Sequence, residues 1–183
     1  LSLASGVPAP KIVFVKDKEG KPEVAGPPEA CGLVFSVTNT DGLAMTAVGR
    51  ASILGLDAEP KGRRVEMRAV SRYFHPEEKL ALAGLSDAAA MQNLLALWTL
   101  KEAFAKALGK GLSLSLAKTL FSVDPDGRVA VSFAPDLGQD PGAWTFTLFQ
   151  PTPDHLAALA VRSPAKPAVR LLDLSGQPDL VEP

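Results

Sequence analysis

The chain has 183 residues, with 19 Lys and Arg against 20 Asp and Glu, so net charge gives it no general pull toward nucleic acid or anionic lipid. Its one cysteine, Cys31, excludes an internal disulfide, and no second Cys or close His stands ready to make a zinc site. Apolar residues make up 46%, yet no apolar run reaches the ~18 residues of a membrane helix, so a cytoplasmic protein with no membrane partner is expected.

The 15 Gly and 16 Pro imply short elements and many turns. The first residue is Leu and no basic-then-apolar leader precedes the first strand, which suits a piece of a longer chain. Ile12–Val15 reads as a strand, closed by the turn-like segment Asp17 to Pro22. Residues 25–30 read as loop. Leu33–Thr38 and Leu43–Val48 read as strands joined by Asn39-Thr40-Asp41-Gly42, where Asp-Gly tolerates the positive φ of a tight hairpin. Ile53–Asp57 is a third strand, and the three suggest an antiparallel meander. Arg64–Tyr73 suggests a helix, and Pro76-Glu77-Glu78 opens another, Pro and acids suiting a first turn. The strongest element runs from Ser86 to about Leu108. Ser86 or Asp87 caps it, and Gly109 and Gly111 end it. Strands follow at Thr119–Val123, Arg128–Phe133, Thr145–Phe149, Leu156–Val161 and Val169–Leu172, with a hairpin signal at Asp124-Pro125-Asp126-Gly127. The fold class expected is α+β, an antiparallel sheet against one long helix. Residues 1–32 read as a lead-in, 33–173 as the main domain and 174–183 as a polar tail.

Two segments carry candidate chemistry. In Gly55-Leu56-Asp57-Ala58-Glu59, strand alternation puts Leu54, Leu56 and Ala58 on one face and Asp57 and Glu59 on the other. The two acidic Cα atoms then lie about 6.6–7 Å apart, close enough to share a cation. Two acids at that spacing also describe an ordinary solvated strand end. In the helix, Leu97, Leu100, Phe104 and Leu108 form the apolar stripe. Glu102 and Lys106 stand one turn apart on nearly the opposite face, an arrangement that also describes a simple surface ion pair. Lys101 lies at the edge of the apolar stripe, where it must snorkel or find an anionic partner.

Together these segments resemble the 4'-phosphopantetheinyl transferase family. The matching residues are Gly55 to Glu59, then Trp98 to Lys106, then Gly109-Lys110-Gly111-Leu112. Lys18 to Val24 is similar to the family's Gly-Lys-Pro segment, Phe35 to Thr40 to its first strand, and Arg72 to Glu78 to its Arg-aromatic-Phe turn. Order and spacing agree over about residues 10 to 160. The resemblance is to the larger, two-lobe branch, with the amino-terminal lobe expected to be absent. It implies an enzyme that moves the phosphopantetheine arm of coenzyme A onto a serine of an apo acyl or peptidyl carrier protein. It implies Mg²⁺ held by Asp57, Glu59 and Glu102, with Glu102 also taking the serine proton and Lys106 stabilising the leaving phosphate. Lys101 is a second candidate for the pyrophosphate. Lys21, Thr38 and Asn39 are implied contacts of coenzyme A phosphates, Asn39 standing where the family more often has His. Arg63, Arg64 and Arg68 form a small basic patch that reads by default as solvated surface, and the acidic carrier implied by the resemblance gives it a second reading as a docking aid. A catalytically impaired half-transferase, serving as a docking module, is the alternative reading.

Overall fold

The computed structural model describes residues 1–51, 53–111 and 114–174. A four-residue helix α1 (Ser2–Ser5) precedes the hairpin of β1 (Val13–Lys16) and β2 (Pro22–Gly26). Val7, Ile12 and Ala30 bury a small apolar cluster beneath it. A second hairpin joins β3 (Val34–Thr40) to β4 (Leu43–Gly49) through the expected Asp41-Gly42 turn, Gly42 having a φ of 72°. β5 (Ile53–Pro60) leads to a helical turn, α2 (Met67–Val70), then α3 (Pro76–Ala83) and the long α4 (Asp87–Leu108). The chain ends in a hairpin of β6 (Thr119–Val123) and β7 (Val129–Phe133), and a pair of longer strands, β8 (Trp144–Thr152) and β9 (His155–Arg162). Among the described residues no helix is long and apolar enough to cross a membrane.

The α+β class is as expected, but β2 (Pro22–Gly26) takes residues 25 and 26 from the expected loop, and three further expected elements differ. β5 does not continue a meander with β4: it pairs antiparallel with β9, which pairs in turn with β8. β5 is buried along nearly its whole length, and β9 is the other strand of that kind. Two strands buried on both faces satisfy their backbone groups best on each other. Arg64–Tyr73 is not one helix but α2 followed by a 3-10 turn at Ser71–Tyr73. Among the described side chains of that stretch only Val65 is buried, with Val70 and Tyr73 half-buried, which is too little apolar surface to hold a longer helix. Val169–Leu172 forms no strand: these residues are irregular, and Val169, Leu171 and Leu172 are exposed. Of the expected tail, residues 175–183 lie outside the described residues, as does Leu112.

The core is built on α4. Leu94, Leu97, Trp98, Leu100 and Phe104 are buried, and Leu108 is half-buried, so the helical stripe read from the sequence is the face that packs. Phe104 is fully buried in an aromatic cluster, its ring centroid 5.0 Å from that of Trp144 and 5.2 Å from that of Phe133. The other face of the sheet buries Leu54 and Leu56 of β5 with Leu159 and Val161 of β9.

α4 lies on β5 at unusually close range, and Gly55 is the reason. A Cβ built there would stand 2.1 Å from the Ala103 carbonyl oxygen and 2.3 Å from the Ala107 nitrogen. Across the sheet, Gly55 pairs with Ala160 and Asp57 with Ala158, small residues that let the helix backbone descend. Gly55→Ala has only backbone to push against. It is expected to destabilise the fold by about 3 kcal/mol or more, read from the midpoint of a denaturant melt. Phe104→Ala, which empties the aromatic cluster, is expected to cost roughly 3–5 kcal/mol.

Candidate active site

Gly55, Asp57 and Glu59 share the face of β5 that meets α4, as the alternation of the strand dictates. The close approach at Gly55 therefore brings the next residue on that face, Asp57, under the last turns of α4. There Lys106 Nζ donates to Asp57 Oδ1 at 2.7 Å and to Thr38 Oγ1 at 3.1 Å. The Thr38 hydroxyl in turn donates to Asp57 Oδ1 at 3.3 Å. Lys106 from α4 and Thr38 from β3 thus close on one carboxylate oxygen of β5. Lys106 pairs with Asp57 rather than serving as a simple i,i+4 partner of Glu102. β3 lies beside β5 without joining its sheet, and side chains bridge the seam: Ser36 Oγ accepts from the Leu56 backbone N–H at 3.0 Å.

The second oxygen of that carboxylate, Asp57 Oδ2, is buried and has no hydrogen-bond partner among the described residues. Burial pushes the Asp57 carboxyl above its usual range even against the pull of Lys106 and Thr38, with Glu59 adding to the rise. Glu102, half-buried one turn before Lys106, is also pushed up. Burial is the main cause, and the nearby Asp57 and Glu59 charges add to it against Lys106 and Arg63. Glu59 is itself buried and bonded by Arg63, four residues on. Hence Arg63 of the expected basic patch is engaged, while Arg64 and Arg68 are exposed.

This surplus of buried carboxylate fits a hard cation. An orphaned oxygen on Asp57 and a poorly neutralised Glu102 are the oxygen donors that Mg²⁺ takes, and Mg²⁺ commonly fills its remaining positions with water and substrate phosphate. Among the described residues, however, no three His, Cys, Asp or Glu side chains converge on one point. The expected third ligand, Glu59, is turned to Arg63.

Beside Lys106 lies an open groove of about 350 Å³, walled by Gly20, Lys21 and Pro22, by Phe35 and Val37 of β3, by Ala105 of α4 and by Gly109 just past its end. Lys21 reaches across its floor: its Nζ donates to the Leu54 carbonyl at 3.2 Å and to that of Ala107 at 2.9 Å. Burial lowers the Lys21 pKa, with Asp17 and Glu23 opposing. Lys21 thus satisfies one of the carbonyls left open at the end of α4, a capping role that the sequence reading missed.

Two expected site residues lie elsewhere. Asn39 follows Thr38 on a strand, so its side chain takes the opposite face and is exposed, while Thr38 is buried against Asp57. Lys101 is fully buried on the core side of α4, ion-paired to Glu78 at 2.9 Å. Five residues from Lys106 is about 140° around a helix, so the two lysines face different surroundings.

The sequence profile of the 4'-phosphopantetheinyl transferase superfamily matches residues 53–160, which hold β5, α4 and both members of the Asp57–Lys106 pair. The chain belongs to the 4'-phosphopantetheinyl transferase superfamily. Among curated relatives, the 4'-phosphopantetheinyl transferase HetI of Nostoc sp. is 27% identical over 157 residues, covering 85% of this chain and 63% of the relative. The 4'-phosphopantetheinyl transferase psf-1 of Bacillus pumilus is 29% identical over 161 residues, covering 87% and 64%. The chain therefore spans less than two thirds of the length of these superfamily members. Of solved structures, the holo-[acyl-carrier-protein] synthase of Thermotoga maritima is similar over 62% of this chain and 64% of that one, at 24% identity and a TM-score of 0.47. That of Helicobacter pylori, in complex with coenzyme A, is similar over 60% of this chain and 99% of that one, at 18% identity and a TM-score of 0.45.

The raised carboxyls have a stability consequence. Between the ordinary carboxylate range and the raised Glu102 value, the folded protein holds a proton that the unfolded chain has lost. Stability therefore falls as pH rises through that window. Glu102→Gln removes this penalty. The variant is expected to be more stable than wild type near pH 7, with the difference closing as pH drops toward the ordinary carboxylate range. Paired denaturant melts at pH 4 and pH 7 measure it.

Proposed function

We propose that the chain carries the catalytic half of a transferase that moves 4'-phosphopantetheine from coenzyme A to a serine of an apo acyl or peptidyl carrier protein. The observation that carries this reading is the junction of Thr38, Asp57 and Lys106 beside the groove, with Asp57 Oδ2 unpartnered and Glu102 at its side. Membership of the superfamily and relatives bearing the transferase name support it.

In this reading coenzyme A lies along the groove with its pyrophosphate beside Lys106. The serine hydroxyl attacks the phosphorus next to the pantetheine arm. A new ester bond forms, the pyrophosphate bridge breaks, and 3',5'-ADP leaves. Mg²⁺, held by Asp57 and Glu102 with phosphate oxygens and water, would neutralise the pyrophosphate. Glu102 takes the serine proton, and its raised pKa makes it a stronger base than an ordinary carboxylate. Lys106 carries the only ammonium bonded to Asp57 among the described residues. It stabilises charge that builds on the departing phosphate, where a preplaced donor acts most strongly. Thr38 keeps Asp57 and Lys106 aligned. Lys21, tied to the end of α4, borders the groove as a second cation for phosphate.

The test is single-turnover transfer from coenzyme A to an apo carrier with Mg²⁺ as the sole metal. Asp57→Ala and Glu102→Ala are expected to abolish transfer while leaving the melt close to wild type. Lys106→Gln is expected to slow it about 10²-fold, the loss seen when a transition-state donor is removed. Lys106→Arg restores it only in part, because a planar fork does not replace a compact ammonium at one oxygen. Full transfer by Asp57→Ala rejects the site. A folded wild-type chain that binds a carrier but transfers nothing favours the docking module instead.

A further inference from the structure

The mechanism makes no use of the most deeply buried charges among the described residues. Lys101 is 0% exposed and Glu78 2%. All three Lys101 ammonium protons are engaged: by Glu78 Oε2 at 2.9 Å, the Leu116 carbonyl at 3.0 Å and the Thr119 carbonyl at 2.7 Å. Glu78 is equally occupied. Its Oε2 accepts from the His75 N–H at 2.8 Å, completing the cap of α3, and its Oε1 accepts from the Phe121 N–H of β6 at 2.9 Å. The Lys101 ammonium also lies 5.5 Å from the Phe74 ring centroid and 5.7 Å from that of Phe121. One pair thus ties α3, α4 and β6 together, at the residue next to Glu102.

Resting on the transfer reading, we propose that Lys101 and Glu78 are positioning residues. They fix the rotation and axial setting of α4 so that Glu102 and Lys106 meet Asp57. The contact that brings α4 to β5 is smooth. Gly55 lies against the backbone of Ala103 and Ala107, and Ala158 and Ala160 line the sheet there. Small side chains admit close approach but resist sliding weakly. The aromatic packing of Phe104 is strong, but hydrophobic attraction has no direction. The Lys101–Glu78 pair is directional. Turning α4 by one residue strands an ammonium among the rings of Phe74 and Phe121 and frees two carbonyls, the costly outcome for a buried charge. Cohesion alone does not call for such a pair, since packed apolar residues in place of a buried ion pair are often no less stable.

The test replaces both charges at once with Glu78→Gln and Lys101→Met, which leaves neither ion unpaired and retains an amide oxygen to accept from Phe121 or His75. The expected result has three parts. The melting midpoint stays within a few degrees of wild type. The maximal transfer rate falls about tenfold or more, while the KM for coenzyme A changes less than threefold. Amide hydrogen exchange over residues 99–107 quickens about tenfold. A core variant on the other face of the sheet, Leu159→Val, matched for any loss of stability, is expected to keep the wild-type rate. A folded double variant with wild-type rate and exchange overturns the proposal. So does a double variant that fails to fold, because the pair then serves cohesion. If wild type shows no transfer but exchange quickens as expected, the positioning claim stands and only the transfer reading falls.

Discussion

Everything at the site depends on how closely a helix backbone can lie on a strand. At Gly55 the separation leaves no room for a methyl group. Strand geometry then sets the rest. Asp57 is the next residue on the same face, about 6.6–7 Å along, and Gly55 itself meets both Ala103 and Ala107 of α4. Lys106 sits between those two contacts in sequence, on the flank of the helix, and its four-carbon stem brings the ammonium to 2.7 Å from Asp57. Were the helix held off by an ordinary side chain at position 55, the same lysine would extend into water. The carboxylate would then be buried without a counter-charge, an arrangement that proteins avoid.

That proximity gathers negative charge where water is scarce. Asp57 and Glu59 are buried and Glu102 is half-buried; beyond the loss of solvent, Asp57 feels the Glu59 charge and Glu102 feels those of Asp57 and Glu59. Lys106 and Arg63 relieve part of this and, among the described residues, leave Asp57 Oδ2 with nothing to accept. A fold selected for stability alone would place an amide or an alanine there. Buried carboxyls with raised pKa values, gathered behind the lysine that borders a groove, are instead the pattern that functional sites favour.

Local periodicity made much of this legible. Strand alternation separated Asp57 and Glu59 from Leu54 and Leu56. The 3.6-residue repeat identified the buried stripe of α4, and Gly109, with a φ of 70°, ends the helix as expected. What local pattern does not encode is partner choice. β5 was expected to continue the meander because its neighbours in sequence were strands, yet its partner lies about a hundred residues away. That pairing follows from burial on both faces, visible only once the sheet is assembled. Val169–Leu172 shows the converse: an apolar, β-favouring run with no core beside it stays irregular. At the site, the pleat of β3 separates two motif positions. Thr38 and Asn39 are neighbours in sequence, and the pleat sends one to Asp57 and the other to solvent.

Lys101 and Lys106 show most plainly how position decides chemistry. Both sit on α4, and both were expected at the pyrophosphate. Read from helical phase alone, Lys101 required an anionic partner at the edge of the apolar stripe, and Glu78 is that partner. The resemblance to a family motif pointed it instead toward substrate. The physical reading holds because a helix of 3.6 residues per turn cannot present residues five apart to the same side. With three protons committed to Glu78, Leu116 and Thr119, and no exposed surface, Lys101 has nothing left to offer a phosphate. Lys106 has one third of its side chain in solvent at the edge of an open groove. An ammonium that serves a passing ligand must keep such access, so the same residue type forms an internal brace at one position and a reachable cation five residues later.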